Sequence, residues 1–169
     1  MSSAFSDDES VTSPLTSRGR DWPCLRQFIV FLENRVGSLH DLLRRVERDD
    51  LKIVALSILD ASDCAVARLI VDHHERAHEL LTFSGIRFFE TDVIGVLLPV
   101  ADQPHTLLLG SLMSAEVNVD YVYPMMYRRN GRGSIAMFSN DREETLRVLR
   151  EREFEIITED DLLHHDEFY

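Results

Sequence analysis

The feature that most constrains the fold of this chain is an internal repeat with a period of 68 residues. Each half carries the same order of apolar patterns, with a period of two in strand-like segments and a period near 3.6 in helix-like segments. Corresponding positions share this single offset in the pairs Asn34–Asp102, Ala77–Thr145 and Ile86–Phe154 (102−34, 145−77 and 154−86). Such a repeat indicates duplication and predicts two copies of one structural unit.

The first half predicts the element order βαββαβ. A strand is expected in "RQFIVFLE", because it is a nearly continuous run of apolar and β-branched residues. The helix that follows lies in "NRVGSLHDLLRRVERDD", where leucines recur at helical spacing. The remaining segments are, in order, the strands "LKIVALSILD" and "CAVARLIVD", the helix "HERAHELLTFSG" and the strand "IRFFETDVIGVLLPV".

The second half repeats this order. Its two middle strands are joined by Asn130-Gly131, a dipeptide typical of tight hairpin turns. The predicted segments are "VIGVLLPV", "QPHTLLLGSLMSAE", "NVDYVYPMMYRR", "GRGSIAMFS", "DREETLRVLRER" and "FEIITED". The tyrosines and methionines of the third segment, Tyr121, Tyr123, Met125, Met126 and Tyr127, are expected in the core or at an interface.

A βαββαβ unit folds into a four-stranded antiparallel sheet with both helices on one face, the ferredoxin-like arrangement. We therefore predict an α+β protein of two tandem ferredoxin-like units whose sheets are joined edge to edge. The expected domains are residues 25–93 and 94–162, with a flexible tail at 1–24 and an acidic tail at 163–169. Dimerisation would hide the apolar surface that remains on the sheets.

Charge and composition exclude several classes of partner. The formal net charge is −12, and a protein with this balance has no general affinity for nucleic acid or anionic membranes. The chain has no apolar run long enough to span a bilayer. Two cysteines, Cys24 and Cys64, do not make a disulfide framework, so we expect a cytoplasmic protein.

The segment "FLENRVGSL" resembles the strand-turn-helix signature of ACT domains. The following segment, "LSILDASDCAVARLIVDHHERAHELLTFSGIRFFETDV", is similar to the remainder of the first domain in small tandem ACT proteins. The resemblance covers Arg26 to Asp161. It implies a regulatory protein that binds an amino acid or a related small metabolite, has no catalytic residue or cofactor, forms a homodimer, and acts on a partner enzyme or other protein.

The resemblance also implies where the ligand binds. Asn34 matches the loop asparagine that contacts the ligand, and Gly37 matches the glycine that lets the backbone approach it. Glycine has no Cβ, and the N-terminus of the next helix offers unpaired N–H groups to a carboxylate. The predicted ligand-binding residues are Asn34, Arg35, Val36, Gly37, Ser38 and, from the second half, Asn118. A turn and helix cap without a ligand is the structural alternative for Asn34 and Gly37.

The two halves depart from the ACT signature in different ways. Val36 replaces the usual proline in the first loop. The second loop, Asp102 to His105, keeps a proline but has His105 in place of the glycine, so it offers a weaker site. The strand asparagine of the family is present only as Asn118, which suggests one composite site that combines Asn118 with the first loop.

A competing hypothesis starts from "HERAH", which contains the H-E-x-x-H pattern of zinc hydrolases with His74 and His78 as ligands. The context argues against it, since the helix is short and no later helix supplies a third ligand. Both histidines are expected on the solvated side of the helix, and we predict no metal site. A regulatory subunit of an amino-acid biosynthetic enzyme, such as acetolactate synthase, is the alternative among binding proteins.

Two further expectations concern charged segments. Arg68 lies within an apolar strand, so it should pair with a carboxylate such as Asp63 or extend along an interface. His164 and His165 lie in "TEDDLLHHDEFY", an acidic segment that is expected to be solvated or disordered.

Overall fold

The computed structural model describes residues 22–60 and 64–164. The strands are Leu25–Glu33 (β1), Ile53–Asp60 (β2), Cys64–Val71 (β3), Phe88–Leu97 (β4), Tyr121–Arg129 (β5), Arg132–Phe138 (β6) and Ile156–Ile157 (β7). The helices are Ser38–Val46 (α1), His74–Phe83 (α2), Pro104–Ser114 (α3), Arg142–Glu151 (α4) and Glu159–Leu163 (α5). The prediction of two tandem βαββαβ units is confirmed. None of these helices is both long enough and apolar enough to cross a membrane.

The repeat is visible in the element boundaries. Helices α2 and α4 are 68 residues apart at both ends (142−74 and 151−83), and so are the first residues of β2 and β5 (121−53). The backbone repeats as well, because Gly85 after α2 and Glu153 after α4 both have positive φ angles, 66° and 60°. The internal duplication therefore extends to the way in which these helices end.

One strand, β4, belongs to both units. The strand order is β2-β3-β1-β4-β6-β5, and β7 also pairs with β4. Residues 88–93 of β4 pair with β1. Residues 94–97 pair with β6, and Gly95 and Val96 also pair with β7. The partner of β4 thus changes between Val93 and Ile94. We propose that the boundary between the two domains lies at this point, as the sequence predicts.

Each unit buries one sheet face under its own pair of helices. Under α1 and α2 lie Phe28, Val30 and Leu69, together with Leu42 from α1 and Leu81 from α2. In the second unit, Ile94 and Met137 from the sheet pack against Leu108 and Leu112 from α3 and Leu149 from α4. These residues alternate along the strands and recur at helical spacing, as the sequence pattern predicts.

The other faces of the two sheets pack against each other. Their common core takes residues from all seven strands: Leu25, Val54, Ile70, Val93, Tyr123, Ala136 and Ile157. Strands β2 and β5 are at opposite ends of the strand order and still contact each other. The sheet therefore folds over at β4, and the molecule has four layers, helices–sheet–sheet–helices. Much of the apolar surface that we assigned to a dimer interface is covered within one chain.

A polar network lies inside this sheet-to-sheet core. The buried Gln27 amide donates to Thr91 Oγ1 at 3.1 Å and to Tyr121 Oη at 2.9 Å, and accepts from the Tyr123 hydroxyl. The Arg68 guanidinium stacks 3.9 Å from the centre of the Tyr121 ring. The prediction that Arg68 extends along an interface is confirmed, and its other suggested partner, Asp63, lies outside the described residues.

The aromatic strand β5 mostly follows the prediction. Tyr123, Met125 and Tyr127 are buried between the sheets, and Tyr121 packs against them. Met126 is exposed, so of the two predicted locations, core or interface, the core is excluded for it. It lies on the opposite face of β5, which is the outermost strand of its unit.

The C-terminal segment differs from the prediction. The strand expected in "FEIITED" is limited to Ile156–Ile157, and α5 follows it. Thr158 and Asp161 form a reciprocal capping box at the start of α5. Leu162 is buried in the core between the sheets, so the expectation of a solvated segment was wrong there. Our predictions for residues 1–21, His165 and the rest of 165–169 fall outside the described residues.

Helix α5 is held to the sheets by two arginines. The Nε and Nη2 atoms of Arg26 donate to the Glu159 carboxylate at 2.7 and 2.6 Å. Arg129 Nη2 donates to Asp161 Oδ1 at 2.5 Å. Arg26 comes from the first unit and Arg129 from the second, so this short helix ties the two units together.

Gly95 provides a test of the shared strand. A Cβ at Gly95 would lie 2.7 Å from Leu25 Cδ1 and 3.2 Å from Ile157 Cβ, and Leu25 and Ile157 are both fully buried. We expect Gly95→Ala to lower the free energy of unfolding by about 1 to 3 kcal/mol through overpacking. Urea denaturation followed by circular dichroism measures the change.

Gly133→Ala is the matched control, because the added Cβ would meet only Leu98 Cδ1 at 3.6 Å, an ordinary contact. Its unfolding free energy should stay within about 0.5 kcal/mol of the wild type. Equal stability of the Gly95→Ala and Gly133→Ala variants would contradict the close packing of β1 and β7 against β4.

Candidate ligand-binding site

The turn between β1 and α1 is shaped by Gly37. Its φ angle of 91° lies in the left-handed region, which residues with a Cβ rarely adopt. The turn is closed by hydrogen bonds from the Arg35 N–H to the Glu33 carbonyl at 2.8 Å and from the Ser38 N–H to the Arg35 carbonyl at 3.3 Å. Asn34 and Val36 project from this turn and are exposed.

The N-terminus of α1 is open to an anion. The N–H groups of Leu39 and His40 have no hydrogen-bond acceptor among the described residues. The Ser38 side chain is 9% exposed, and its Oγ has no partner in that part of the chain. A buried hydroxyl without a partner is costly, and free N–H groups at a helix start attract negative charge. A polar ligand atom bound here would give the Ser38 hydroxyl the hydrogen-bond partner that it lacks.

A cavity of about 290 Å³ lies beside this turn. Predicted residues Arg35 and Ser38 line it, whereas Asn34, Val36 and Gly37 form the exposed turn at its edge. Arg35 is 3.3 Å from the Glu33 carboxylate and 3.2 Å from the Asp41 carboxylate, both of which also line the cavity. The cavity combines donors and acceptors of both charges, which suits a zwitterionic ligand.

The sequence did not point to two of the residues that line this cavity. Arg45 lies two turns along α1 from Ser38, and Arg87 comes from the connection between α2 and β4. The helical spacing of Ser38 and Arg45 could have identified the first. Nothing local could have identified Arg87, because it is about 50 residues from the turn and reaches the cavity only through the pairing of β4 with β1.

Asn118 is separate from the first loop within one chain. It is exposed, and its Nδ2 donates to Asp120 Oδ1 at 3.2 Å. It lines a different depression, together with Leu109 and Met113. The predicted composite site with Gly37 would therefore need a second copy of the chain and stays a hypothesis.

The second loop has a different shape from the first. Helix α3 begins at Pro104, two residues earlier than the 68-residue offset from Ser38 would place it (38+68 = 106). Gln103 precedes the helix with a φ of −128°, so this loop has no counterpart of the left-handed Gly37. His105 lies in the first turn of α3 and is exposed.

The histidines of "HERAH" serve the packing of α2. The His74 ring is 5% exposed and stacks on Phe28, with ring centres 4.5 Å apart and planes 6° from parallel. The expectation that His74 lies on the solvated side was wrong, because His74 is on the face of α2 that packs against β1. His78 is half-buried and lies edge-on to Phe88.

Both histidines meet one carboxylate, Glu90 on β4. His78 Nδ1 lies 2.7 Å from Glu90 Oε1, and His74 Nε2 lies 3.2 Å from the same oxygen but outside hydrogen-bond geometry. Residues 22–60 and 64–164 contain no group of three or more His, Cys, Asp or Glu side chains arranged to hold a metal ion. The geometry therefore gives the zinc hydrolase hypothesis no support.

The two histidines change the acidity of Glu90. Burial alone would raise the pKa of the Glu90 carboxyl, but the contacts with His74 and His78 and their positive charge outweigh burial and lower it to about 2. A carboxyl whose pKa is lowered on folding stabilises the protein above its unfolded pKa of 4.5. That stabilisation is lost as the pH falls from 4.5 towards 2.

We expect Glu90→Gln to reduce the acid sensitivity of the fold. Between pH 5 and pH 2.5 the wild type should lose about 1 to 2 kcal/mol more of its unfolding free energy than the variant, allowing for the partial solvent access of the pair. Urea denaturation at both pH values measures this. Glu79→Gln, on the exposed side of α2, is the control and should leave the acid sensitivity unchanged; the same slope for all three proteins would contradict the role of Glu90.

Residues 24–165 match the family described as ACT domain pair. A protein from Bacteroides thetaiotaomicron has a similar structure, with a TM-score of 0.75 and 23% identity over 84% of this chain and 97% of that chain. The ligand-free regulatory subunit of aspartate kinase from Thermus thermophilus gives a TM-score of 0.50 and 12% identity over 80% and 96% of the two chains. A search of the curated proteins found no match. The match over residues 24–165 shows that the chain belongs to the ACT domain pair family.

Proposed function

We propose that this protein binds a free amino acid or a related small metabolite in the cavity between the β1–α1 turn and the α2–β4 connection. It has no chemistry of its own, acts in the cytoplasm, and regulates other proteins through its ACT domain interfaces. The observation that carries the proposal is the buried, unpartnered Ser38 hydroxyl beside the free N–H groups of α1. ACT domain pairs are regulatory modules, which supports the regulatory part of the proposal.

The bound ligand would use the two kinds of charge in the cavity. Its α-carboxylate accepts hydrogen bonds from the Leu39 and His40 N–H groups and from the Ser38 hydroxyl. Its ammonium group faces the carboxylates of Glu33 and Asp41. Arg35, Val36 and Asn34 would form the rim of the site, since all three are exposed. A cavity near 290 Å³ is at the lower end of the range for ligand pockets, which fits a molecule of this size.

Occupancy can regulate only if the ligand favours one arrangement of the protein over another. The surface next to the cavity could take part in such a change, because it can contact a second copy of the chain. Phe31 and Phe89 lie edge-on to each other, 5.7 Å apart, and are 44% and 66% exposed. They continue the sheet face that is buried elsewhere against the second unit, so a second copy of the chain would cover them in a homodimer.

An amino-acid biosynthetic enzyme is the alternative occupant of this surface. In that case the protein would act as a regulatory subunit, and Phe31 and Phe89 would contact the enzyme. The mass of the purified protein in solution distinguishes the two arrangements, because the first gives a dimer without any other protein.

A thermal-shift screen of the twenty amino acids with the full chain tests the function. A ligand that binds only the folded state stabilises it by RT ln(1 + [L]/Kd), or about 2.7 kcal/mol at 100 times its Kd. We expect at least one amino acid to raise the melting temperature. Isothermal titration with the same ligand and the Ser38→Ala variant should then show binding weakened about tenfold, the loss of one hydrogen bond to a charged group.

The controls separate binding from folding. Ser38→Ala should not lower the stability of the ligand-free protein, because the Ser38 hydroxyl has no partner to lose. Thr106→Ala changes the equivalent position of the second unit (38+68 = 106) and should leave affinity unchanged. If none of the twenty amino acids raises the melting temperature, the proposed function is contradicted.

A further inference from the structure

The cavity beside α1 holds more positive charge than its own carboxylates can balance. Three guanidinium groups line it, those of Arg35, Arg45 and Arg87. Its two carboxylates, Glu33 and Asp41, are both within 3.3 Å of Arg35. The chain as a whole has a net charge of −12, so this local excess of positive charge is the opposite of its overall charge.

Arg45 and Arg87 have no carboxylate partner in the described part of the chain. Arg45 Nη1 makes one long contact, 3.5 Å to the Ser84 carbonyl oxygen at the end of α2. Arg87 follows three residues later on the same connection. Two arginines without a carboxylate partner therefore line the same cavity as the unpartnered Ser38 hydroxyl, which lies at the N-terminus of α1.

The spacing of Ser38 and Arg45 suits a ligand with two anionic groups. Ser38 and Arg45 are seven residues apart on α1, which is about 10 Å along a helix axis. Side chains on a helix lean towards its N-terminus, so the Arg45 guanidinium lies nearer to Ser38 than its Cα does. An α-carboxylate and a side-chain carboxylate, separated by two or three carbon atoms, can reach Ser38 and the Arg45 guanidinium at the same time.

We propose that the ligand is an acidic amino acid. Its α-carboxylate binds at the N-terminus of α1, and its side-chain carboxylate binds between Arg45 and Arg87. Guanidinium groups bind carboxylates through paired, charge-assisted hydrogen bonds, which gives the second position its selectivity. This inference rests on the proposed function, because it names the class of ligand for the same cavity.

An apolar amino acid is the competing ligand, and the structure explains why it is disfavoured. A larger and more open depression of about 810 Å³ adjoins the cavity, and Phe31, Phe88 and Phe89 line it. Arg87 lines both spaces. An apolar side chain there would cover the Arg87 guanidinium without giving it a partner, and burial of an unpaired charge is unfavourable.

Isothermal titration of the full chain with aspartate, glutamate, asparagine, glutamine, valine and phenylalanine tests the proposal. The two amides keep the shape of the acids and remove only the charge. We expect aspartate or glutamate to bind at least tenfold more tightly than its amide. Arg45→Gln and Arg87→Gln should each reduce this preference at least threefold, while binding of the amide stays unchanged.

Arg44→Gln is the matched control, because Arg44 is the exposed neighbour of Arg45 on α1 and does not line the cavity. It should keep the full preference for the acid. Circular dichroism and the melting temperature of each variant establish that it is folded. Loss of the preference in the Arg45→Gln and Arg87→Gln variants alone supports the proposal.

The outcomes separate the ligand class from the function. Tighter binding of an amide or an apolar amino acid, weakened by Ser38→Ala, would overturn the acidic ligand and leave the proposed function intact. An acid preference that survives both Arg45→Gln and Arg87→Gln would also overturn the inference, since the second carboxylate would then bind elsewhere. No binding of any of the amino acids would overturn the inference together with the proposed function.

Discussion

Strand β4 is the element on which the arrangement of this molecule depends. One continuous backbone completes the first sheet with its first six residues and begins the second sheet with its last four. Because the strand has no break, neither unit can turn freely relative to the other. The sheet folds over at this strand, and the face that each unit leaves uncovered is buried against the other. Gly95 permits this geometry, since Leu25 and Ile157 fill the space where a side chain would otherwise lie.

The duplication supplied two similar scaffolds, and the candidate site depends on a difference between them. Helices α2 and α4 and the strands beside them keep the same offset. The loops that precede α1 and α3 do not, because Gly37 allows a left-handed turn while Pro104 starts its helix two residues earlier. Only the first unit therefore combines an open helix N-terminus with the buried hydroxyl of Ser38. Under the proposed function, the first unit binds the ligand and the second unit mainly supports it.

Local patterns in the sequence predicted the elements well, because the strands and most helices carry a regular apolar period. The family followed from the turn at Asn34 to Gly37, where residue identity is set by backbone geometry. Features that depend on contacts between distant segments were not predictable. The nearly continuous apolar run of β1 indicated that both faces are buried but not that the second sheet covers one of them. The prediction for His74 was wrong because the position of this residue on α2 depends on Phe28 in β1 and Glu90 in β4, which are distant in sequence.

The ion pair between Arg26 and Glu159 joins residues that are 133 positions apart in the chain. During synthesis, β1 emerges long before α5, so Arg26 is made well before Glu159, one of its two carboxylate partners. Glu75 on α2, 2.6 Å from Arg26 Nη2, is available much earlier and can hold the charge in the interval. The first unit can thus form with a provisional partner for its buried arginine. Arrival of α5 then completes the pair and joins the first unit to the second.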